Sequence, residues 1–170
     1  MKPSQNLYAH LLLLQVGEKV RPPGSTMNSD DLGLAEMKKF CAEAGIERGA
    51  VLMEEGSGLS RGCLLKPAAT IQLLKYMHQH RYADDYYDSL PIAGVDGTLK
   101  SRFKKSAAEN NLRAKTGSLR YVNALSGYVT TKAGEHLIFS IMSNAYNGDG
   151  RGQTDAIGAM LAELAVKTVE

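Results

Sequence analysis

The chain has 170 residues, room for one domain of ordinary size and little else. It is 44% hydrophobic and 22% charged, with 17 Gly, 5 Pro and no Trp, which excludes disordered, collagen-like and disulfide-rich miniprotein classes. Its 20 Lys and Arg are interspersed with 18 acidic residues, so the net +2 provides no concentrated basic face for a nucleic acid.

Taken in order, the pattern is helical first and strand-rich later. Leu7, Leu11 and Leu14 recur at helical spacing from Asn6 to about Val20, and Arg21-Pro22-Pro23-Gly24 ends the segment. Ser29 or Asp30 can cap a second helix with Leu34, Met37, Phe40, Cys41 and Ala44 as its apolar face and Gly45 as its stop. Ala50 to Glu54 reads as a short strand leading into Gly56-Ser57-Gly58. Pro67 opens a third helix, whose face is Ile71, Leu74, Met77 and His78. The period then changes. Leu112 to Ser118 reads as a strand, and Tyr121 to Thr130 with His136 to Ser143 as a hairpin around Lys132-Ala133-Gly134. A last helix starts near Thr154 and carries Ile157, Met160, Leu161, Leu164 and Ala165 on one side. The expected class is α+β, a single domain of helices packed on an antiparallel sheet. The longest aliphatic run, Leu11 to Leu14, is far short of a membrane span, and Met1 to Asn6 lacks the pattern of a signal peptide.

Three kinds of site can be weighed against plainer readings. His10, His78, His80 and His136 have no partners at metal-ligand spacing, so no metal and no cofactor is expected. Cys41 reads as a buried small hydrophobe, and the sequence leaves open whether it pairs with Cys63. Gly56-Ser57-Gly58-Leu59-Ser60-Arg61 and Gly148-Asp149-Gly150-Arg151-Gly152 are incomplete as phosphate motifs and read as turns. Lys115-Thr116-Gly117, followed by Ser118, is more informative. A strand with a cation, a hydroxyl and a bare glycine can dock an extended acyl substrate. The ammonium and hydroxyl bind its carboxylate, and the Ser118 N–H is free to act as an oxyanion donor. Far upstream, Ser4-Gln5-Asn6 stands at a helix entrance, where simple N-capping is the plainer use of Ser4. The two triplets follow the order used by active-site serine acyl-transferases.

With these residues in view, the chain resembles the D-alanyl-D-alanine carboxypeptidase/endopeptidase family, a branch of the low-molecular-mass penicillin-binding proteins. The resemblance runs through Met1 to Ala9, Glu55 to Arg61, Leu90 to Leu99 and Arg113 to Leu119, in family order. It implies the C-terminal part of a penicillin-binding or serine β-lactamase-like transpeptidase fold, beginning at the Ser-x-Asn motif. It also implies an acyl-serine reaction on peptidoglycan stem peptides or β-lactams, outside the cytoplasmic membrane. In that scheme Ser4 relays a proton and Asn6 holds the acyl side of the substrate. Lys115 and Thr116 hold the terminal carboxylate, and Gly117 and Ser118 border the substrate.

The family's Ser-x-x-Lys nucleophile motif precedes Ser-x-Asn, whereas only three residues precede Ser4 here. The one match, Ser101-Arg102-Phe103-Lys104, lies between the other motifs in what its charges mark as a solvated helix, and reads as a motif without its context. The expectation is therefore a chain without its own nucleophile, inactive alone, with sheet edges that a second chain could cover. The rival readings are a non-catalytic module for D-Ala peptides or another subunit, and a serine esterase or β-lactamase-like hydrolase using Ser101.

Overall fold

The computed structural model describes residues 1–165. The order is α1 (Asn6–Lys19), α2 (Ser29–Glu43), β1 (Val51–Leu52), β2 (Leu64–Leu65), α3 (Pro67–His78), α4 (Ala83–Ser89), a 3₁₀ turn (Gly97–Leu99), β3 (Arg113–Leu119), β4 (Val122–Thr130), β5 (His136–Asn144) and α5 (Gly150–Glu163). This is a mixed fold of helices and antiparallel sheet. The chain divides into two compact units, one of Met1–Ser4 with Met77–Glu170, the other of Gln5–Tyr76. No helix of the described residues is long and apolar enough to cross a membrane.

The first unit is a three-stranded antiparallel sheet, order β3-β4-β5, with α5 packed on it. Directly opposed residues such as Lys115 and Ser126, or Arg113 and Tyr128, share a face. Central β4 is buried on both faces from Leu125 to Val129, which is why its sequence is nearly continuous in small and apolar residues. Leu99, Leu112, Ala114, Leu125, Val129 and Phe139 form the core with Ala162 of α5. The helix turns Thr154, Gly158 and Ala162 inward; of the stripe expected from apolar spacing, Leu161 packs against the core, while Ile157, Met160 and Leu164 are exposed. The cause is the space already taken by large side chains from elsewhere in the unit. A Cβ on Gly158 would stand 3.2 Å from both Leu125 and Phe103.

The second unit pairs α1 with α2. A Cβ on Gly17 would lie 2.0 Å from the Ser29 carbonyl, and one on Gly33 would lie 2.5 Å from the Leu13 carbonyl, so both positions must be bare for the helices to approach this closely. Leu13 and Gly17 are the buried residues of α1, whereas Leu7 and Leu11 are exposed, again unlike the expected face. The short β1–β2 ladder pairs Val51 with Leu65 and Leu52 with Leu64. Cys41 and Cys63 are free thiols.

Two helix starts move for a capping reason. Asn28, in place of Ser29 or Asp30, caps α2, accepting from Asp31 N at 2.8 Å, because the Ser29 hydroxyl is bonded to Glu18. Asp149 accepts from Gly152 N at 2.9 Å and starts α5 well before Thr154. The stretch from Ser101 is turns, in place of the expected solvated helix. Phe103 (φ 62°) and Lys105 (φ 59°) hold left-handed conformations that no right-handed helix contains.

Candidate active site

The site is built from three separated pieces of the first unit. Met1–Ser4 forms a tight turn in which Ser4 N–H donates to the Met1 carbonyl at 3.1 Å, with Ser4 at φ 53°. A non-glycine residue in this region costs on the order of 1–3 kcal/mol and persists only where its surroundings over-determine it. The plainer use of Ser4 as a helix cap does not occur. Gln5 is the N-cap of α1, and no side chain bonds there. Instead the Ser4 Oγ accepts a hydrogen bond from Lys115 Nζ at 2.7 Å.

Lys115 stands on β3, an edge strand, and its Nζ also donates to the Thr116 carbonyl at 2.6 Å. Burial without a carboxylate partner pushes the Lys115 ammonium pKa down from its ordinary value. A hydroxyl and a carbonyl satisfy two of its donors but supply no full negative charge, so the proton is held less firmly than on a surface lysine. The next residue, Thr116, donates its Oγ1 to Thr98 Oγ1 at 2.9 Å.

Thr98 belongs to the third piece, the 3₁₀ turn. Gly97 beside it has φ 54°, and a Cβ there would meet the Lys2 carbonyl at 2.7 Å and Pro91 at 3.1 Å. Only glycine lets this turn sit against the segment that carries Ser4. The same contact is locked by the Lys2–Asp96 ion pair, and Asp96 Oδ1 also accepts from Ile92 N at 2.8 Å. Burial alone would raise the Asp96 pKa, but the bonds from Lys2 and Ile92 outweigh it and hold the carboxyl below its usual value. Lys2, Asp96, Gly97 and Thr98 were given no chemistry by sequence reasoning. The Asp-Gly-Thr run was visible as a signature, but its role depends on contacts across most of the chain.

The outer edge of β3 completes the arrangement. Ala114 N–H donates to the Pro91 carbonyl at 3.0 Å, so alternate residues of β3 point their backbone groups away from β4. By that alternation Thr116 and Ser118 present their N–H groups on the same outer edge. Gly117 is exposed, and the nearest atom to a Cβ there would be Ala124 Cβ at 3.5 Å, ordinary contact. Ser118 commits its hydroxyl to Asn123 Oδ1 at 2.7 Å, leaving its backbone as the group available to a ligand.

The other sequence-derived candidates lie elsewhere. Asn6 belongs to the second unit, where its Nδ2 donates to the Ser57 carbonyl at 2.7 Å. That carbonyl lies in the Glu55–Arg61 loop. The Glu55 carboxylate gathers N–H bonds there from Ser57, from Leu59 at 2.9 Å and from Ser60 at 3.0 Å. Ser101 is exposed on a turn, while Lys104 donates to the Gly94 carbonyl and pairs with Glu109 at 3.2 Å. The pair therefore lacks the shared helical face a Ser-x-x-Lys nucleophile uses. Among the described residues, no three His, Cys, Asp or Glu side chains converge as a metal site.

The profile of the D-Ala-D-Ala carboxypeptidase 3 (S13) family matches residues 1–164. A D-alanyl-D-alanine carboxypeptidase of Actinomadura is 36% identical over 97% of this chain and 31% of its own length. The D-alanyl-D-alanine carboxypeptidase DacB of Haemophilus influenzae is 34% identical over 91% of this chain and 32% of its own length. The chain thus spans about a third of the curated relatives it matches. Penicillin-binding protein 4 of Haemophilus influenzae, solved with a β-lactam, superposes with a TM-score of 0.80 at 32% identity, covering 95% of this chain and 38% of that one. A Bdellovibrio bacteriovorus endopeptidase solved with an immunity protein shares the fold at a TM-score of 0.70 and 22% identity.

Proposed function

This chain belongs to the D-Ala-D-Ala carboxypeptidase 3 (S13) family, and we propose that it forms the proton-relay and carboxylate-binding side of a penicillin-sensitive serine carboxypeptidase/endopeptidase site. The observation that carries this reading is the 2.7 Å bond from Lys115 Nζ to Ser4 Oγ, which joins the two sequence triplets.

In this reading the acylated serine and its Ser-x-x-Lys lysine come from sequence outside these 170 residues, and Ser101 takes no part. The serine oxygen bonds to the carbonyl carbon of the penultimate D-Ala, and the peptide C–N bond breaks. The proton displaced from the serine reaches the departing amine through Ser4 Oγ, which the Lys115 ammonium polarises. Water then cleaves the acyl-serine ester and restores the hydroxyl. Lys115 and Thr116 hold the substrate carboxylate, and the Ser118 N–H, on the outer edge of β3, faces the carbonyl oxygen as it becomes negative. A lysine whose charge is partly disfavoured by burial suits the relay, because it can pass a proton at modest cost.

Stem peptides of peptidoglycan and β-lactams are the ligands of this reading, with action outside the cytoplasmic membrane. Support for the β-lactam comes from the Haemophilus influenzae relative solved with one. A strand from further sequence or a second chain pairs along β5, the other edge of the sheet, whose residues 137–144 carry no charge.

The test is intact-protein mass after incubation with excess benzylpenicillin, combined with NMR titration by a D-Ala-D-Ala peptide. The expected result is no covalent adduct on these 170 residues, with saturable shifts at Lys115, Thr116 and Ser118 that Lys115→Ala abolishes. A stoichiometric adduct at Ser101 would overturn the assignment of the nucleophile. Absence of shifts along β3 would overturn the carboxylate site.

A further inference from the structure

On the first unit, away from Lys115, His78, α4 and the β4–β5 hairpin line a cavity of about 270 Å³. Its chemistry-bearing lining is His78, Asp84, Tyr87, Tyr128, Thr130 and His136. Tyr128 shares the sheet face of Ser126 and Lys115, but Thr130 is four residues beyond Ser126, about 13 Å along the strand, so the cavity is separate from the site already described.

Its walls are aromatic. The Tyr128 ring, almost fully buried, lies 5.5 Å from Tyr87 and 6.1 Å from His78, tilted to both. Burial and the neighbouring Tyr86 and Tyr87 phenols push the Tyr128 hydroxyl pKa up, so it stays neutral. No Lys or Arg lines the cavity. The nearby Arg113 guanidinium stands 4.4 Å from the Tyr87 ring centre and is itself paired with Asp88 at 2.9 Å. Asp84 is the one carboxylate in the lining, and among the described residues it has neither a hydrogen bond nor an ion pair.

An anion would meet ring faces and an uncompensated carboxylate there. A neutral apolar group would leave that carboxylate unused. A cation on a short alkyl stem satisfies both features, since ring faces attract positive charge and the carboxylate supplies its counter-ion. We propose that this cavity is a binding site for an alkylammonium group, such as the side-chain amine of a basic peptide. The alkyl stem rests on Tyr87, Tyr128 and His78. The ammonium donates to Asp84 and to the Thr130 hydroxyl, which is already paired with His136 Nδ1 at 3.0 Å.

The test is NMR titration of the 170-residue chain with n-butylammonium and, in parallel, with its neutral isostere 1-butanol. The ammonium is expected to shift the ring signals of His78, Tyr87 and Tyr128 saturably, and to bind roughly fivefold or more tightly than the alcohol. Asp84 is exposed, so Asp84→Asn leaves the fold intact, and it is expected to remove that preference. Tyr87→Leu, also at an exposed position, weakens the ammonium while leaving Lys115 signals unchanged. Equal binding of the two probes, no saturable shift, or undiminished ammonium binding by Asp84→Asn would each overturn the assignment.

Discussion

The two units use apolar residues in opposite ways. In the sheet-bearing unit, Leu90, Leu99, Leu112 and Leu125 are completely buried, and α5 turns small residues toward the core that holds the last three. In the unit of α1 and α2, Leu7, Leu12 and Leu64 are each more than half exposed. An apolar cavity of about 460 Å³, lined by Leu13, Met37, Phe40 and Leu73 among others, opens within that unit. One unit is held by side-chain volume. The other is held by close backbone crossing at Gly17 and Gly33 and by hydrogen bonds around Glu55. The groups proposed for the site, Ser4 and Lys115, both belong to the unit with the filled core, where a half-buried ammonium can be kept in place.

The sharpest way to break this contrast is to truncate one leucine in each unit. Leu125→Ala should lower stability by about 2–5 kcal/mol in urea unfolding, as expected for a buried leucine with little room to relax. Leu12→Ala, mostly exposed, should change it by less than about 0.5 kcal/mol. Comparable losses would show that the second unit has a core of its own kind. Next in size is Gly97→Ala, which combines a left-handed backbone with a close approach to Lys2. A loss of about 1–3 kcal/mol is expected, with the Lys115 side-chain signals disturbed, and an unperturbed Lys115 would separate the turn from the site.

Capping gives a smaller and more even comparison. Asp149→Ala on α5 and Asn28→Ala on α2 should each cost about 1 kcal/mol, because each removes one side-chain bond to an orphan N–H. A much larger effect for Asn28 would reveal that α2 depends more on local signals than α5 does. The smallest and most local effect concerns acid. Burial would raise the Glu55 pKa, yet the bonds from Ser57, Ser60 and Leu59 outweigh it and pull it down to about 2. A carboxyl lowered from 4.5 in this way stabilises its loop fully above the unfolded value. That contribution fades as pH falls towards about 2. Protection of the Ser57, Leu59 and Ser60 amides, taken against the intrinsic exchange rate at each pH, should fall through that window, and Glu55→Gln should make that protection pH-independent.

How much the sequence disclosed follows from the range of each interaction. The hairpin, the positions of α1 and α3, and the strand carrying Lys115 were legible because alternation, Pro67 and the Lys132–Gly134 turn are local signals. α4 was not, since Ala83–Ser89 has no apolar period to detect. The buried stripes of α1 and α5 were misread in part, because spacing identifies large apolar residues, while tightly packed helices also bury small ones such as Gly17, Thr154 and Gly158. At the site, Ser4 and Lys115 were legible as triplets, but Lys2, Asp96 and Thr98 were silent. Their meaning lies in a turn and an ion pair formed across 94 residues of chain.

The bond between Ser4 and Lys115 also joins residues 111 apart in sequence, and the whole second unit falls within that stretch of sequence. Closure entropy grows only with the logarithm of length, about 0.6 kcal/mol for each doubling. The inserted stretch is therefore free to lengthen or shorten in evolution with little effect on the contact it encloses. Strand β3 has no such freedom, because a slip of one residue would turn Lys115 to the opposite face of the sheet. Tolerance to insertion and intolerance to register shift thus meet at a single hydrogen bond.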